Sequence, residues 1–392
     1  MKDKVQFFPV SITTFCLSAF LFQTFSLTAL SSMCFYTCLL LVIIQFIYLC
    51  IKKFIDLAGI IRILIIAGFC LTTIILKTPV SKLSFDYLST FVFLIFLLVS
   101  LYNNSIFTCN EKTKCYLAYI IMVVTFIYIF IYILFKNSEK IYWNGNKYYL
   151  TFNLTNPNLT GFFLLFLFIY NLMCSFSVGR FLKLISLIFS LSLVFLILQT
   201  QARSCLIALL FLVFAVLLFR KYPLNNFIML LCILIPLIFV MLYMFIIEKG
   251  SDLTFLNIFV DEGKGLDSRY EIWKRTLDII KSNLIGGNYY QISDGTGRFQ
   301  MHNIWLHVCS GFGVIICIFI IHAFYKSLKA INSTNWQTKF AIICFLTIII
   351  EGTFEAAIFA GTSGIFCLFT QLLSFGEKHH KGSYLNEDSI LQ

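Results

Sequence analysis

Residues 224–247 read LNNFIMLLCILIPLIFVMLYMFII, and the chain then turns polar from Glu248 to about Met301. The apolar stretch has no charged residue and is long enough to cross a bilayer as a helix, which takes about 20 mainly apolar residues. Eight comparable runs precede it and three follow the polar segment. The twelve are 7–27, 33–51, 58–76, 83–101, 115–135, 157–178, 183–201, 204–219, 224–247, 302–323, 339–352 and 357–375. They are continuous, without the ten-residue alternation of an outer-membrane barrel, so helices are expected. Composition agrees: 60% of residues are hydrophobic, 18% aromatic and only 12% charged. A soluble domain of 392 residues has no interior large enough for that much apolar surface.

The expected fold is therefore an all-α integral membrane protein of about twelve transmembrane helices. Residues 1–247 hold nine of them, 248–301 form an extracytoplasmic loop subdomain, 302–375 hold the last three, and 376–392 form a cytoplasmic tail. A second span follows the first almost at once with no convincing small-residue cleavage site, so the first run is not read as a signal peptide. Orientation follows from Lys and Arg, which concentrate on cytoplasmic segments. With the N-terminus inside, the 29 basic residues divide as sixteen on inside segments, six on short outside segments and seven in the long loop. Both termini are then cytoplasmic and the loop faces outward. The net charge of +11 reflects this bias and calls for no nucleic-acid partner. The fourteen cysteines are scattered through apolar runs, apart from Cys109 and Cys115 at an inside loop, and show neither a disulfide framework nor metal-ligand spacing.

Several residues do not suit a passive bundle. Arg203 lies in Thr200-Gln201-Ala202-Arg203-Ser204, a turn so short that the arginine must sit at the outer membrane boundary. It can be an interfacial arginine snorkelling to headgroups, or an anion ligand facing a cavity. The long loop contains Asp267-Ser268-Arg269-Tyr270-Glu271-Ile272-Trp273. Ser268 and Glu271 have capping-box spacing, so a helix is expected to start at Arg269. Arg269 can bind a phosphate or diphosphate at that helix end, or pair with Asp267 and Glu271. Ile272, Trp273, Thr276, Leu277 and Ile280 give this short amphipathic helix one apolar side, expected on the membrane face of the loop.

Past Gly286-Gly287 comes Gly295-Thr296-Gly297-Arg298, and then Met301-His302-Asn303 at the outer re-entry point. An imidazole there can take a proton from a sugar hydroxyl, or hydrogen-bond the backbone at a helix start. Asn303 can orient that ring or bind a sugar hydroxyl. Asn156-Pro157-Asn158 opens the sixth run and can be a turn and cap alone. Glu351 and Glu355 share a face if the helix continues through Gly352. They can bind sugar hydroxyls, pair with Arg203 or be solvated, and a direct catalytic role is not assigned to either. His307 and His322 read as packing or pore-facing residues within the tenth run.

Taken in order, these pieces resemble the O-antigen polymerase/ligase superfamily of bacterial envelope glycosyltransferases. The matching motifs are Asn156-Pro157-Asn158, Thr200-Gln201-Ala202-Arg203-Ser204, Ser268-Arg269-Tyr270-Glu271-Ile272-Trp273, and His302-Asn303 followed by Gly311 and Gly313. The resemblance covers roughly residues 150–375. It implies a GT-C-like fold in the bacterial cytoplasmic (inner) membrane, with the active site on the extracytoplasmic face. It also implies a donor, glycan linked to undecaprenyl diphosphate, and an acceptor, another glycan or lipid A-core. Membrane lipids and a chain-length regulator are further expected partners; no cofactor and no metal are expected. His302, Arg269 and Arg203 are then the catalytic candidates. Asn156, Asn158, Ser268, Trp273, Arg298, Asn303, Glu351 and Glu355 are the candidate substrate contacts. Arg203 and Arg269 are expected to converge on one diphosphate, where leaving-group charge develops. The polymerase reading comes first, an O-antigen ligase second, and a lipid-linked glycan flippase or transporter third. A transporter would be expected to show internal repeats or broken mid-membrane helices with buried charge.

Overall fold

The structure, a computed structural model, describes residues 6–52, 54–55, 57–77, 85–138, 141–144, 148–154, 156–248, 266–287, 301–331, 335–355 and 365–377. A few of these, among them 85–90 and 266–268, are described by backbone alone. The described chain is almost entirely helical. The first helices are α1 (Phe7–Thr24), α2 (Thr28–Ile51), α3 (Leu57–Lys77), α4 (Phe85–Ile106) and α5 (Glu111–Phe135). Next come α6 (Pro157–Cys174), α7 (Arg180–Thr200), α8 (Arg203–Lys221), α9 (Asn226–Glu248) and α10 (Leu266–Ser282). The last four are α11 (Ile304–Phe312), α12 (Val314–Lys329), α13 (Trp336–Glu351) and α14 (Ile365–Gln371). Among the described residues, seven of these helices are long and apolar enough to cross a membrane: α1, α2 and α5 to α9. The protein is thus a multi-pass membrane protein.

Asparagine starts several helices. Oδ1 of Asn110, Asn156 and Asn335 accepts the N–H of Thr113, Leu159 and Thr338, supplying a partner that the first turn otherwise lacks. Pro157 sits at the first turn of α6, where its missing N–H costs nothing.

Two features depart from the expected all-α, one-helix-per-run pattern. A small antiparallel hairpin, β1 (Tyr142–Asn144) and β2 (Tyr148–Leu150), pairs Tyr142 with Leu150 and Asn144 with Tyr148. The signal was present in the aromatic run flanking Asn144-Gly145. The second departure is the tenth run, which is two helices, α11 and α12, separated at Gly313. Gly313 has φ +91°, and a Cβ there would lie 2.7 Å from the Ile285 carbonyl oxygen. Gly287, with φ +60°, meets Gly311 as closely; a Cβ would fall 2.5 Å from its carbonyl carbon. The Val314 N–H donates to the Leu284 carbonyl at 2.9 Å, so the segment just after α10 fills the break and satisfies its backbone.

Two helices form the centre: 14 of the 18 residues of α6 and 13 of the 16 in α13 are buried. At the rim, α7 exposes Phe181, Leu184, Leu187, Ile188, Leu191, Phe195 and Leu198 along one stripe, a surface suited to lipid. Apolar attraction adds little between helices in hydrocarbon, so polar contacts matter there. Asn171 Nδ2 donates to the Ser186 carbonyl and the Ser190 hydroxyl. Thr13 donates to Gln371 at 2.7 Å, and Ser100 and Thr370 hydroxyls meet at 2.6 Å.

The two ends of the described chain meet at one end of the bundle. Gln6 bonds the Thr108 carbonyl and the Asn110 N–H, while the Cys109 N–H donates to the Ser374 carbonyl. Close by, the Glu377 N–H donates to Thr338, and Lys339 Nζ donates to the Phe219 and Tyr222 carbonyls at the end of α8. The starts of α6, α8 and α11 and the end of α13 lie at the other end.

Candidate functional site

His302 is placed by its two neighbours. On one side, α10 grips Met301: Trp273 Nε1 donates to its carbonyl at 3.0 Å and Thr276 Oγ1 to its sulfur at 2.9 Å. On the other, Asn303 is a fully buried N-cap for α11, accepting the N–H groups of Trp305 and Leu306 on Oδ1. Its Nδ2 donates to the Pro236 carbonyl in α9 at 2.9 Å and to the Thr353 carbonyl at 3.1 Å. Between these anchors His302 takes φ +47°, a left-handed conformation that a side chain-bearing residue holds only when its surroundings impose it.

The residue that meets His302 is Glu355. α13 ends at Glu351 rather than continuing through Gly352; the Thr353 and Phe354 N–H groups bond back three residues, to Ile350 and Glu351. The Gly352 carbonyl accepts the Ile304 N–H at 2.8 Å, which docks the start of α11 on the end of α13. Glu355 is then carried into the space between His302, Arg269 and Asn158. Its carboxylate is buried, with 6% of the side chain exposed. Oε1 accepts from Asn158 Nδ2 at 2.7 Å and from an Arg269 guanidinium nitrogen at 3.4 Å. His302 Nδ1 lies 3.3 Å from each of its two oxygens. A carboxylate at Nδ1 favours the tautomer with the proton there and leaves Nε2 with its lone pair. The ring is therefore oriented by Glu355, not by Asn303.

Arg269 lies in the first turn of α10, half-buried, with its guanidinium 5.6 Å over the Phe354 ring. Among the described residues its ion-pair partner is Glu355, from the end of a distant helix; the side chain of the expected neighbour Asp267 lies outside the described residues. Burial lowers the Arg269 pKa, the Glu355 and Glu351 charges oppose this, and the Arg203 charge adds to it. The two arginines are thus electrostatic neighbours although 66 residues separate them. Arg203 opens α8, half-buried, after Gln201 turns the chain with φ +54°. Close packing fixes that turn: a Cβ on Gly161 of α6 would lie 2.5 Å from Ala202 Cβ. Glu351 is fully buried with neither carboxylate oxygen in a hydrogen bond, and the Ser204 hydroxyl lies beside it without reaching hydrogen-bond geometry.

The structure thus brings Arg203, Arg269, His302, Asn158, Glu351 and Glu355 to one end of the bundle. It gives other candidates structural duties. Asn303 has spent every donor and acceptor on protein, so a role in sugar binding is corrected to that of a buried cap. Trp273 is also buried, with its indole N–H committed to Met301 and its ring edge-on to Tyr243 at 5.6 Å. It anchors α10 to the bundle and offers no face to substrate, so the expected apolar face of α10 is turned to protein. Asn156 serves as the cap of α6. Ser268 lies inside α10, which begins at Leu266, so the expected capping box is not the helix start. Its side chain and the whole of Arg298 lie outside the described residues. The position of Glu355 as hub was not legible. Its sequence signals were an acidic residue just past an apolar run and the four-residue spacing from Glu351, and neither points to His302 or Arg269.

The architecture and this cluster define a class: a multi-pass membrane protein with cationic, acidic and imidazole groups gathered at one end. Residues 187–321 match the family model described as O-antigen ligase, consistent with the O-antigen polymerase/ligase superfamily that the motifs resemble. The match spans 135 of 392 residues, a narrower segment than the motif resemblance. It contains Arg203, Arg269 and His302; Asn158, Glu351 and Glu355, which complete the cluster, lie outside it. Comparison with curated proteins and with solved structures found no match. The matched family points to O-antigen polymerase or ligase activity, of a glycosyltransferase-like kind.

Proposed function

We propose that this chain is a GT-C-type glycosyltransferase of the bacterial inner membrane, with twelve crossings and its site on the extracytoplasmic face. It transfers a glycan from undecaprenyl diphosphate to the hydroxyl of an acceptor sugar. The observation that carries the reading is the juxtaposition of a carboxylate-held imidazole with Arg269 and Arg203, on helices that lie far apart in sequence. The acceptor hydroxyl forms a bond to the anomeric carbon as the bond from that carbon to the diphosphate oxygen breaks. The electron pair leaves with the diphosphate, whose growing charge is met by the two arginines. The hydroxyl proton passes to His302 Nε2. The two ends of the described chain, gathered at the end opposite the cluster, accord with an even number of crossings.

The acceptor is proposed to be another lipid-linked glycan, making the protein a repeat-unit polymerase for O-antigen or capsule. The Asn-Pro-Asn and Arg-Ser motifs favour this. The ligase reading, with lipid A-core as acceptor, is favoured by the description of the matched family. The flippase reading gains one feature, the break at Gly313. That break is filled by the backbone of the segment just after α10, while the charged cluster lies at the bundle end.

Glycan profiling of a deletion strain separates the first two. A single repeat unit on the acceptor indicates a polymerase; long lipid-linked glycan that never reaches lipid A-core indicates a ligase. Purified His302→Gln should bind donor yet turn over about 10²–10⁴-fold more slowly, the usual worth of acid–base catalysis. Normal turnover in that variant reduces His302 to a positioning residue. Arg→Lys at position 203 or 269 should also lose much of the rate, since a point charge does not replace a guanidinium fork. Wild-type activity in both lysine variants rejects the diphosphate clamp.

A further inference from the structure

Glu355 serves two groups that the proposed reaction uses at different moments. Its Oε1 holds Arg269 at 3.4 Å through a single nitrogen, a long and one-point contact. The same carboxylate holds His302 Nδ1 at 3.3 Å on both oxygens. Asn158 donates to Oε1 at 2.7 Å and is the short, neutral contact that fixes the carboxylate in place. The side chains of Arg269 and His302 are 26% and 24% exposed and so remain reachable, whereas Glu355, at 6%, is sealed. A buried carboxylate holds its charge only with a compensating cation or several donors.

We propose that Glu355 is a charge relay between donor binding and the base, exchanging Arg269 for the imidazolium of His302 as the reaction proceeds. The proposal rests on the glycosyl-transfer reading above. In the resting site the Glu355 charge is balanced by Arg269. The arriving diphosphate, a multiply charged anion with matched fork geometry, draws Arg269 off the carboxylate. Glu355 is then a buried anion held by Asn158 and the neutral imidazole, and it is best compensated by a positive ring. Proton transfer from the acceptor hydroxyl to Nε2 supplies that ring at the moment the leaving group acquires its negative charge. One new cation then faces Glu355 as one new anion faces Arg269, so proton transfer restores to Glu355 the positive partner that donor binding removed. The proton leaves His302 to water or to the departing diphosphate, and Arg269 returns to Glu355 once the diphosphate has gone. Glu355 touches neither reacting atom; it is a positioning residue acting through His302 and Arg269.

This arrangement makes a prediction that a merely structural carboxylate does not. In Glu355→Gln, Arg269 has no competing anion at this position, so donor should bind more tightly than in wild type. The same variant leaves the imidazolium uncompensated, so kcat should fall by about 10²–10⁴-fold, as when a catalytic histidine loses its carboxylate. Binding is read with undecaprenyl diphosphate as the probe, and kcat and KM with undecaprenyl-diphosphate-linked glycan, on full-length purified protein. Glu355→Asp keeps the charge on a shorter arm and should recover part of kcat, which keeps the test open should the glutamine variant fold poorly. In an Arg269→Ala background, Glu355→Gln should no longer tighten donor binding. Unchanged or weakened donor binding in Glu355→Gln, wild-type kcat in it, or no recovery in Glu355→Asp overturns the relay. Wild-type protein that neither binds nor uses the donor rejects the glycosyl-transfer reading itself, and the relay with it.

Discussion

Asn303 shows how a residue beside the reacting group can be wholly occupied with structure. An asparagine side chain offers two donors and two acceptor lone pairs. All four are used, on the Trp305 and Leu306 N–H groups and the Pro236 and Thr353 carbonyls. Asn303→Ala would strand these buried groups, each at a cost of about 1–3 kcal/mol. The expected outcome is a clear drop in thermal midpoint in detergent. Asn303→Asp keeps the cap but replaces two donors with lone pairs facing carbonyls, so it should be no better than alanine. An unchanged midpoint in Asn303→Ala would return Asn303 to the list of substrate contacts. Glu355 is the converse case. It is a charged residue whose described partners lie beside the proposed chemistry, Arg269 and His302 by charge and Asn158 by hydrogen bond.

At the scale of elements, the join between α10 and the broken tenth run positions the site. α10 holds Arg269 at its start and Met301 through its middle, and the segment that follows it, Leu284–Gly287, holds the Gly313 break. Any slip of this helix therefore moves Arg269 and His302 together. Gly313 is the point where the join is tightest. Gly313→Ala forces a side chain into a left-handed backbone, costing about 1–3 kcal/mol. It also drives a methyl group to 2.7 Å from the Ile285 carbonyl oxygen, which is backbone and cannot swing away. The variant should expose the 248–301 segment to faster limited proteolysis and lower donor binding and turnover together. Gly179→Ala, where a Cβ meets nothing within 4 Å, is the control and should leave both unchanged. Equal proteolysis of the two variants would show that the join does not hold the segment.

For the whole molecule, charge and connectivity point to one arrangement. The described ends of the chain lie together, at the end where Lys339 caps α8, while the arginine–imidazole–carboxylate cluster lies at the other. Lys and Arg concentrate on segments expected inside, so the cluster end should be extracytoplasmic. In a Cys-depleted background, a cysteine at position 264 should react with an impermeant reagent in intact cells. One at position 380 should react only after the membrane is opened. The reverse pattern would overturn the topology and the mechanism built on it.

Sequence alone determined the membrane class, because a helix that crosses a bilayer must be apolar over its whole length and announces itself locally. It also singled out Arg203, Arg269 and His302, since charge and imidazole at the ends of such runs are costly enough to be conspicuous. The expected run 224–247 agrees with α9, Asn226–Glu248, to within two residues. The hairpin went unread, because its strands are three residues each and lie between long helical runs. Only the tertiary structure decided the rest. Glu355 stands 86 residues from Arg269 and 197 from Asn158, and no local pattern encodes contacts over such distances. The break at Gly313 is invisible in an apolar run because its cause, the backbone of Leu284–Gly287, belongs to another segment. Asn303 and Trp273 looked like substrate contacts because polar and aromatic residues near a site read alike, whether they face a ligand or tie the fold together. Hydrogen bonds to carbonyls of Pro236, Thr353 and Met301 decide between the two, and those carbonyls are placed by packing, not by spacing.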